Sequence, residues 1–368
     1  MDNIYWGNFD TIGKYDRSLF EDFAAQSTEE IRQACCDEQG KLVHLIKADH
    51  FDLSFLETIC ETAKAARKIA KVDFEFLKGL LKHKSVLNYF HQPSSRTFLS
   101  FSSAEAYLGM RREEVRDMKT SSAIKGESDK DALRTISSYF DALVVRHPSD
   151  YFDLFALWVM KHSDREIPII NAGSGTKEHP TQGILDYYTI QESMKRELDG
   201  MSIAYVGDCL RGRTVHSLAK IMSRHQNTTA YFVAPDHLQI DAETEKYIQQ
   251  RGTIIHKETA SLQDIIPLVD VIYMTRIQNE HGGAAEYDPQ FIFTKSMLEE
   301  MKPGAILMHP MPKREEIDPA IDYIHKDQRV MYWRQQRNGM WVRVALLAHF
   351  FGVDEKIRKK YQEITLTL

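Results

Sequence analysis

The sequence has few of the features that mark metalloproteins, secreted proteins or membrane proteins. Only four cysteines occur among 368 residues, and the closest two, Cys35 and Cys36, are adjacent, which is not a metal-ligand spacing. We therefore expect four thiols without a structural bridge and no zinc site. No apolar run has the length of a membrane span, and the opening "MDNIYWGNFDTIGKYD" lacks a signal-peptide pattern. A cytoplasmic location is the resulting expectation.

Strong positive charge is also missing, as are several common catalytic signatures. The net charge is −6, so no global basic field would attract nucleic acid. The sequence shows no Ser-His-Asp arrangement, no acid–base carboxylate pair and no GxGxxG fingerprint. The run "VGDCLRGR" is only superficially similar to a dinucleotide-binding turn.

From Ser85 onward, short apolar runs alternate with helix-like segments. The runs predicted as strands are "SVLNYF", "ALVVRH", "IPIINAG", "SIAYVGD", "TAYFVAP", "VIYMTR" and "AILMHP". Short apolar strands alternating with helices are typical of parallel sheets covered on both faces. We therefore predict an α/β fold with two domains, each a mainly parallel sheet flanked by helices.

A polar run, "QESMKRELDG" at 191–200, marks the predicted joint between the two domains. Residues 51–190 are expected to form the first domain and residues 196–335 the second. The closing amphipathic helix, 340–368, is expected to complete the first domain. Residues 1–50 are predicted to be an N-terminal extension packed on the first domain.

The stretch "SVLNYFHQPSSRTFLSFSSAEAYLG" places hydroxyls and an arginine between a strand and a helix. The first helical turn has backbone N–H groups without intrahelical partners, and these groups favour an anion. Hydroxyl groups add donors, and a guanidinium group suits phosphate. The residues concerned are Ser94, Ser95, Arg96 and Thr97. We interpret them as a phosphate cradle, with a capping run at the helix start as the alternative.

Polar side chains follow most of the other predicted strands. Ligands of open α/β sheets bind beyond the carboxyl ends of the strands, so these side chains are expected at that edge. They are Arg146, His147, His179, Thr181, Gln182, Arg213, Thr214, Arg276, Gln278, His309, Met311 and Lys313. With Arg96, four arginines at one edge of an acidic chain indicate a small ligand with several negative charges.

The segment "TSSAIKGESDKDALRT", 120–135, leads into a predicted helix and carries Ser121 and Lys125. It is interpreted either as an ordinary surface loop or as an arm that brings a cation to the phosphate.

Seven short motifs occur in the order found in aspartate carbamoyltransferases. They are "PSSRT", "SSAIKGES", "RHP", "NAGSGTKEHPTQ", "GRTVHSLA", "YMTRIQ" and "MHPMP". The chain resembles that family from about Tyr89 to Gly352. The resemblance implies that the α-amino group of L-aspartate attacks the carbonyl carbon of carbamoyl phosphate. The products are N-carbamoyl-L-aspartate and phosphate, in de novo pyrimidine biosynthesis. No metal, cofactor or protein nucleophile is implied, since the leaving phosphate accepts the amine proton.

The resemblance also implies three overlapping sets of site residues. The expected catalytic residues are Arg96, Thr97, Lys125, Arg146 and His179. The expected carbamoyl phosphate-binding residues are Ser94, Ser95, Arg96, Thr97, Ser121, Lys125, Arg146, His179 and Gln182. The expected aspartate-binding residues are Lys125, Arg213, Arg276, Gln278, Pro310 and Met311.

Individual roles carry over in the same way. Thr97, Arg146 and His179 are expected to donate to the carbonyl oxygen, and Gln182 to hold the carbamoyl NH2 group. The turn before a cis Met311–Pro312 bond is expected to receive the substrate amino group.

Family trimers donate a loop like that of Ser121 and Lys125 to the neighbouring subunit. A homotrimer with shared active sites is therefore expected. A regulatory or dihydroorotase partner is left open, and neither nucleic acid nor membrane is expected as a partner.

Departures from the family pattern fall mostly in the motifs for aspartate. Asn279 and His281 stand where two cations are usual, Lys313 replaces an arginine, and Ser174 replaces an aspartate. Two other readings stay open. An ornithine-type carbamoyltransferase is the nearer one, although Arg276 would repel a cationic side chain. A non-catalytic binding or scaffold relative is the other.

Overall fold

The computed structural model describes residues 14–116, 127–175, 177–259, 261–276, 288–324 and 327–367. The chain divides into two compact units. One contains the described residues up to Thr181 together with those from Met340 onward, and the other is Gln182–Gly339. The predicted fold class, two parallel sheets each flanked by helices, is confirmed.

The first unit is built on a four-stranded parallel sheet in the order β2-β1-β3-β4. Its strands are β1 Ser85–Phe90, β2 Arg111–Val115, β3 Ala142–His147 and β4 Ile169–Ser174. Every residue of β1 and β4 is buried, which explains why most of their side chains are apolar. The β2 edge strand, "RREEV", is exposed, and the sequence analysis missed it.

Helices surround this sheet. They are α1 Lys14–Ala24, α2 Thr28–Ala34, α3 Leu53–Ile69, α4 Phe74–Gly79, α5 Ser95–Tyr107, α6 Asp129–Tyr139, α7 Phe152–Lys161 and α13 Asp354–Thr367. Two longer helices, α8 Pro180–Met194 and α12 Tyr332–Phe350, run past the unit boundaries. The sequence analysis predicted one closing helix, whereas the structure has two, α12 and α13, separated near Gly352, which adopts a positive φ of 67°.

The second unit has a five-stranded parallel sheet in the order β7-β6-β5-β8-β9. Its strands are β5 Ser202–Val206, β6 Thr229–Val233, β7 Ile254–Glu258, β8 Val271–Met274 and β9 Ile306–Met308. Helices α9 Arg213–Met222, α10 Ala242–Gln249 and α11 Met297–Glu300 complete it. The exposed edge strand β7 was also missed by the sequence analysis.

The segment before α3 packs on the first unit. Phe20 of α1 is fully buried, with its ring 5.3 Å from that of Phe155 and 6.0 Å from that of Trp158. Further along, Leu45 forms a parallel bridge with Ile170 and so extends the sheet beside β4. All four cysteines are free thiols, as predicted. None of the helices within the described ranges is long and apolar enough to cross a membrane.

Candidate functional site

In the parallel sheet of the first unit, the order in which strands are added reverses between β1 and β3. The chain continues from β1 to β2 on one side and from β3 to β4 on the other, which makes the β1/β3 gap a topological switch point. Phe90 pairs with Arg146 in parallel register at the carboxyl ends of these strands. The backbone N–H groups of His91 and Gln92 donate to the Arg146 carbonyl, at 2.8 and 3.2 Å. The segment leading to the phosphate cradle is thereby held against Arg146.

The phosphate cradle opens helix α5, as the sequence predicted. Ser94 is the N-cap residue with extended backbone (φ −159°), but its side chain makes no capping hydrogen bond. This argues against the capping alternative, because an N-cap serine serves the helix by accepting from a backbone N–H of the first turn. Ser95 and Arg96 are exposed, while Thr97 is buried. The hydroxyls and guanidinium thus stand at a helix N-terminus suited to an anion.

Arg146 is buried at the end of β3, and its Nη1 atom donates to the Ala172 carbonyl at 2.9 Å. A guanidinium group has five N–H donors in a rigid plane, so anchoring one of them orients the others. His179 is buried just before α8, with Nδ1 3.4 Å from the Thr181 hydroxyl. Both residues therefore lie at the carboxyl edge of the first sheet with restricted orientations.

Asn171 organises the end of β4, the strand that precedes His179. Its amide Nδ2 donates to Asp153 Oδ2 at 2.7 Å and to the Ile46 carbonyl at 2.9 Å. Its Oδ1 accepts the Gly173 N–H at 2.7 Å. Burial raises the pKa of Asp153 to about 6, against hydrogen bonds that lower it.

Two histidines lie beside this edge: His147, which was expected there, and His91, which was not predicted. The His91 and His147 rings are 5.3 Å apart, and the rings of His147 and Phe152 stack at 4.0 Å. Burial lowers the pKa of His91 to about 4 and that of His147 to about 3. Both imidazoles are therefore neutral at pH 7. For His91, its position directly after a predicted strand was the only sequence signal.

The second unit has its own switch point, between β5 and β8. Arg213 begins α9 after β5, and Arg276 follows β8. The Thr275 N–H and hydroxyl both donate to the Val206 carbonyl at 2.8 Å, which ties the two strand ends together. Gly207 is needed here, since a Cβ at its positive φ of 110° would lie 2.4 Å from the Thr275 carbonyl oxygen. Both arginines thus flank the position where such sheets bind ligands.

The turn after β9 contains Pro310 and Met311, and the Met311–Pro312 bond is cis, as expected. His309 holds this turn, because its Nδ1 accepts the Met311 N–H at 2.7 Å. Its other ring nitrogen, Nε2, lies 2.8 Å from Glu316 Oε1, so Nε2 carries the proton. Burial lowers the pKa of His309, although the hydrogen bond and the negative charge of Glu316 oppose the shift.

Gln182 lies on α8 at the start of the second unit and is mostly buried. Its Nε2 donates to Asp186 Oδ1 at 2.9 Å. Asp186 was not predicted as a site residue, although its i,i+4 spacing from Gln182 was visible in the sequence.

Several predicted residues lie outside the part of the chain that the structure describes. They are Ser121, Lys125, Gln278, Asn279 and His281. Of the other predicted residues, Ser94–Thr97, Arg146 and His179 lie in the first unit, at the carboxyl edge of its sheet. Gln182, Arg213, Arg276, Pro310 and Met311 belong to the second.

Comparison with known proteins gives matches over most of the chain. Residues 43–192 match the family model described as aspartate/ornithine carbamoyltransferase, carbamoyl-P binding domain, and residues 199–350 match its Asp/Orn binding domain. The chloroplastic aspartate carbamoyltransferase of Arabidopsis thaliana is 38% identical over 317 residues, covering 83% of this chain and 77% of the relative. The aspartate carbamoyltransferase catalytic subunit of Photobacterium profundum is 37% identical, covering 83% and 95%.

Solved structures agree with these matches. The catalytic subunit of M. jannaschii aspartate transcarbamoylase superposes with a TM-score of 0.74 at 34% identity, covering 85% of this chain and 99% of that one. The Trypanosoma cruzi enzyme in complex with N-(phosphonacetyl)-L-aspartic acid gives 0.73 at 34% identity, covering 83% and 94%. This chain belongs to the aspartate/ornithine carbamoyltransferase family, on its aspartate carbamoyltransferase branch.

Proposed function

We propose that this chain transfers the carbamoyl group of carbamoyl phosphate to the α-amino group of L-aspartate. The amine nitrogen forms a bond to the carbonyl carbon, and the bond from that carbon to the phosphate oxygen breaks. The proton lost by the amine goes to the departing phosphate. The products are N-carbamoyl-L-aspartate and phosphate, and the step belongs to pyrimidine biosynthesis.

The observation that carries the proposal is the phosphate cradle at the switch point of the first sheet. Ser94 does not use its side chain to cap α5, and the neighbouring Ser95 and Arg96 are exposed. A helix N-terminus lined by hydroxyls and a guanidinium suits a phosphate group. Relatives in complex with carbamoyl phosphate support the same ligand.

Charge stabilisation at the carbonyl oxygen is assigned to Thr97, Arg146 and His179. That oxygen gains negative charge when the amine attacks, so donors already held in place lower the barrier. Arg146 fits this role because its anchoring bond to the Ala172 carbonyl fixes the guanidinium plane. Lys125 is assigned to stabilise the same negative charge, as the family resemblance implies.

The second substrate is assigned to the switch point of the second sheet. Arg213 and Arg276 begin the segments after β5 and β8, and two guanidinium groups suit the two carboxylates of aspartate. An ornithine side chain is cationic and would be repelled there. A Trypanosoma cruzi relative solved with aspartate and phosphate supports the dicarboxylate. Gln278 and the backbone carbonyls of the Pro310–Met311 turn complete the assigned contacts.

The domain roles, assembly and location belong to the same proposal. Residues 51–190 with the closing segment 340–368 bind carbamoyl phosphate, and residues 196–335 bind aspartate. Three copies form a trimer in which Ser121 and Lys125 serve the neighbouring copy. A multifunctional Dictyostelium discoideum protein is 40% identical over 313 residues, and the match covers 13% of that protein. Because the rest of that protein lies outside the match, we also propose a test for further partners of this chain. We propose a cytoplasmic location, although matched plant relatives are named chloroplastic.

The test is product formation by the purified full-length chain. Carbamoyl phosphate and L-aspartate should yield N-carbamoyl-L-aspartate and one equivalent of phosphate, whereas L-ornithine should yield no product above background. Citrulline formation from ornithine would favour the ornithine-type enzyme. Binding of carbamoyl phosphate without either product would favour a non-catalytic relative.

A further inference from the structure

Asp186 is a buried carboxylate on α8 that accepts hydrogen bonds from three side chains. Its Oδ1 lies 2.9 Å from Gln182 Nε2 and 2.7 Å from Gln335 Nε2. Its Oδ2 lies 2.6 Å from the Tyr273 hydroxyl. The side chain of Asp186 has no exposed surface. Three donors around one buried carboxyl group are the environment that an ionised carboxylate requires.

These hydrogen bonds determine the orientation of the side-chain amide groups of Gln182 and Gln335. A carboxylate only accepts hydrogen bonds, so the amide group that faces Asp186 must be NH2 in both Gln182 and Gln335. Each amide therefore keeps its carbonyl oxygen for another partner. For Gln335 that partner is visible, because Oε1 accepts the His309 N–H at 2.9 Å. For Gln182 the carbonyl oxygen is the end of the side chain left to accept a hydrogen bond from a ligand.

We propose that Asp186 is a positioning residue that selects the acyl group through Gln182. This inference rests on the proposed function, in which Gln182 meets the carbamoyl NH2 group. An NH2 group donates hydrogen bonds, so it needs an acceptor opposite it. Asp186 turns the Gln182 amide so that it offers a carbonyl oxygen. A donor with a methyl group in place of NH2, such as acetyl phosphate, gains nothing from that oxygen and leaves it unsatisfied.

The same carboxylate supports the turn assigned to the aspartate amino group. Asp186 accepts a hydrogen bond from the Gln335 amide, and Gln335 Oε1 accepts the His309 N–H. His309 Nδ1 in turn accepts the Met311 N–H. One buried charge thus orders side chains assigned to both substrates, and all of these contacts lie within the second unit.

The experiment measures acyl-group selectivity with two inhibitors that compete with carbamoyl phosphate. Phosphonoacetamide carries the NH2 group, and acetonylphosphonate carries a methyl group in its place. The parent should bind the amide about tenfold more tightly, the effect of one hydrogen bond with its partner left unsatisfied in the other complex. Asp186→Leu, which has no acceptor, should bring this ratio to within about twofold of one, with inhibition by acetonylphosphonate changed less than about threefold.

Two further variants separate orientation from general damage. Asp186→Asn can keep its carbonyl oxygen at the position where both glutamine amides donate, because the Tyr273 hydroxyl can accept from the new NH2 group. It should therefore retain most of the parent ratio. Asp241→Asn, at the N-cap of α10 in the same unit, is the matched control and should retain all of it. An unchanged ratio in Asp186→Leu, or a parallel weakening of both inhibitors, would overturn the proposal.

If Asp186→Leu does not fold, a crystal structure of the parent with phosphonoacetamide decides. Gln182 Nε2 should stay within hydrogen-bond distance of Asp186, with Oε1 within hydrogen-bond distance of the ligand NH2 group. A Gln182 amide turned away from Asp186 would refute the inference. If the parent makes carbamoyl aspartate but does not discriminate between the two inhibitors, this inference is wrong and the proposed function stands. If the parent binds neither inhibitor and makes no product, the proposed function is wrong as well.

Discussion

Asn88 Nδ2 donates to both carboxylate oxygens of Glu105, at 3.1 Å to Oε1 and 2.9 Å to Oε2, and neither side chain reaches solvent. The pair joins β1 to the helix that carries the phosphate cradle. Burial raises the pKa of Glu105 to about 7, although the hydrogen bond from Asn88 and the charge of Arg112 oppose the shift. The folded state therefore keeps a proton on Glu105 at pH values where the unfolded chain has lost it.

Replacing Glu105 with Gln should stabilise the protein at alkaline pH. Stability linked to Glu105 is fully present below its unfolded pKa of about 4.5 and is lost as pH rises through about 7. Glu105→Gln removes this loss, so the free energy of unfolding at pH 8 should rise by about 3 kcal/mol relative to the parent. Urea denaturation at pH 5 and pH 8 measures it. An equal gain at both pH values would show that ionisation is not the cause.

Acid should destabilise the protein through His91. Its pKa is lowered by burial to about 4, so the unfolded state binds more protons between pH 6.5 and 4 and stability falls as the pH falls. His91→Phe keeps the ring beside Tyr89, at 4.0 Å in the parent, and removes the titration. Between pH 7 and pH 4.5, the free energy of unfolding should fall by about 2 kcal/mol less in the variant than in the parent, after allowance for solvent screening. His237→Gln, at an exposed position, should lose as much as the parent.

Arg276→Ala should weaken the handling of aspartate. A hydrogen bond between charged groups contributes about 1.5–3 kcal/mol, so KM for aspartate should rise by about 10- to 100-fold. KM for carbamoyl phosphate should change by less than about threefold. Arg251→Ala is the control, since this exposed arginine stacks on Tyr247 at 3.6 Å, away from the strand ends. An effect confined to carbamoyl phosphate would reverse the assignment of Arg276.

Mixing two inactive variants should restore activity if sites are shared between copies. Arg96→Ala removes a phosphate contact, and we expect at least about a 100-fold fall in kcat. Lys125→Ala should cause a similar fall. After subunits are exchanged, some sites combine an intact Arg96 from one copy with an intact Lys125 from another, and a fraction of the parent rate should return. Absence of recovery, once exchange is proven by mass spectrometry, would argue for sites within one copy.

Phe20→Ala should release helix α1 from the first unit. The Phe20 side chain is fully buried against Phe155 and Trp158, and truncating such a ring costs about 3 kcal/mol. Hydrogen exchange should show faster exchange in α1 and little change in β1. Leu19→Ala, at a half-exposed position on the same helix, should cost less than about 1 kcal/mol. Unchanged protection in α1 for Phe20→Ala would show that other contacts hold this helix.

Sequence patterns predicted the buried strands well but missed the two exposed edge strands, β2 and β7. Strand β1 was predicted with its observed bounds, because a strand buried on both faces is mostly apolar. Strands β2 and β7 each have a neighbour on one side only and expose most of their side chains. Their sequences, "RREEV" and "IIHKE", carry charges that are usual at a sheet edge. A local apolar pattern could not reveal them.

The amino-acid sequence by itself determined the fold class, the central strands and the polar residues that follow them. It could do so because burial between two helix layers and the start of a helix each impose local residue preferences. Only the tertiary structure decided the strand order, and with it the two switch points beside Arg146 and Arg276. It also brought Gln335 and Tyr273 to Asp186, across 149 and 87 residues of sequence. Contacts over such distances arise from packing, which has no local signature in the chain.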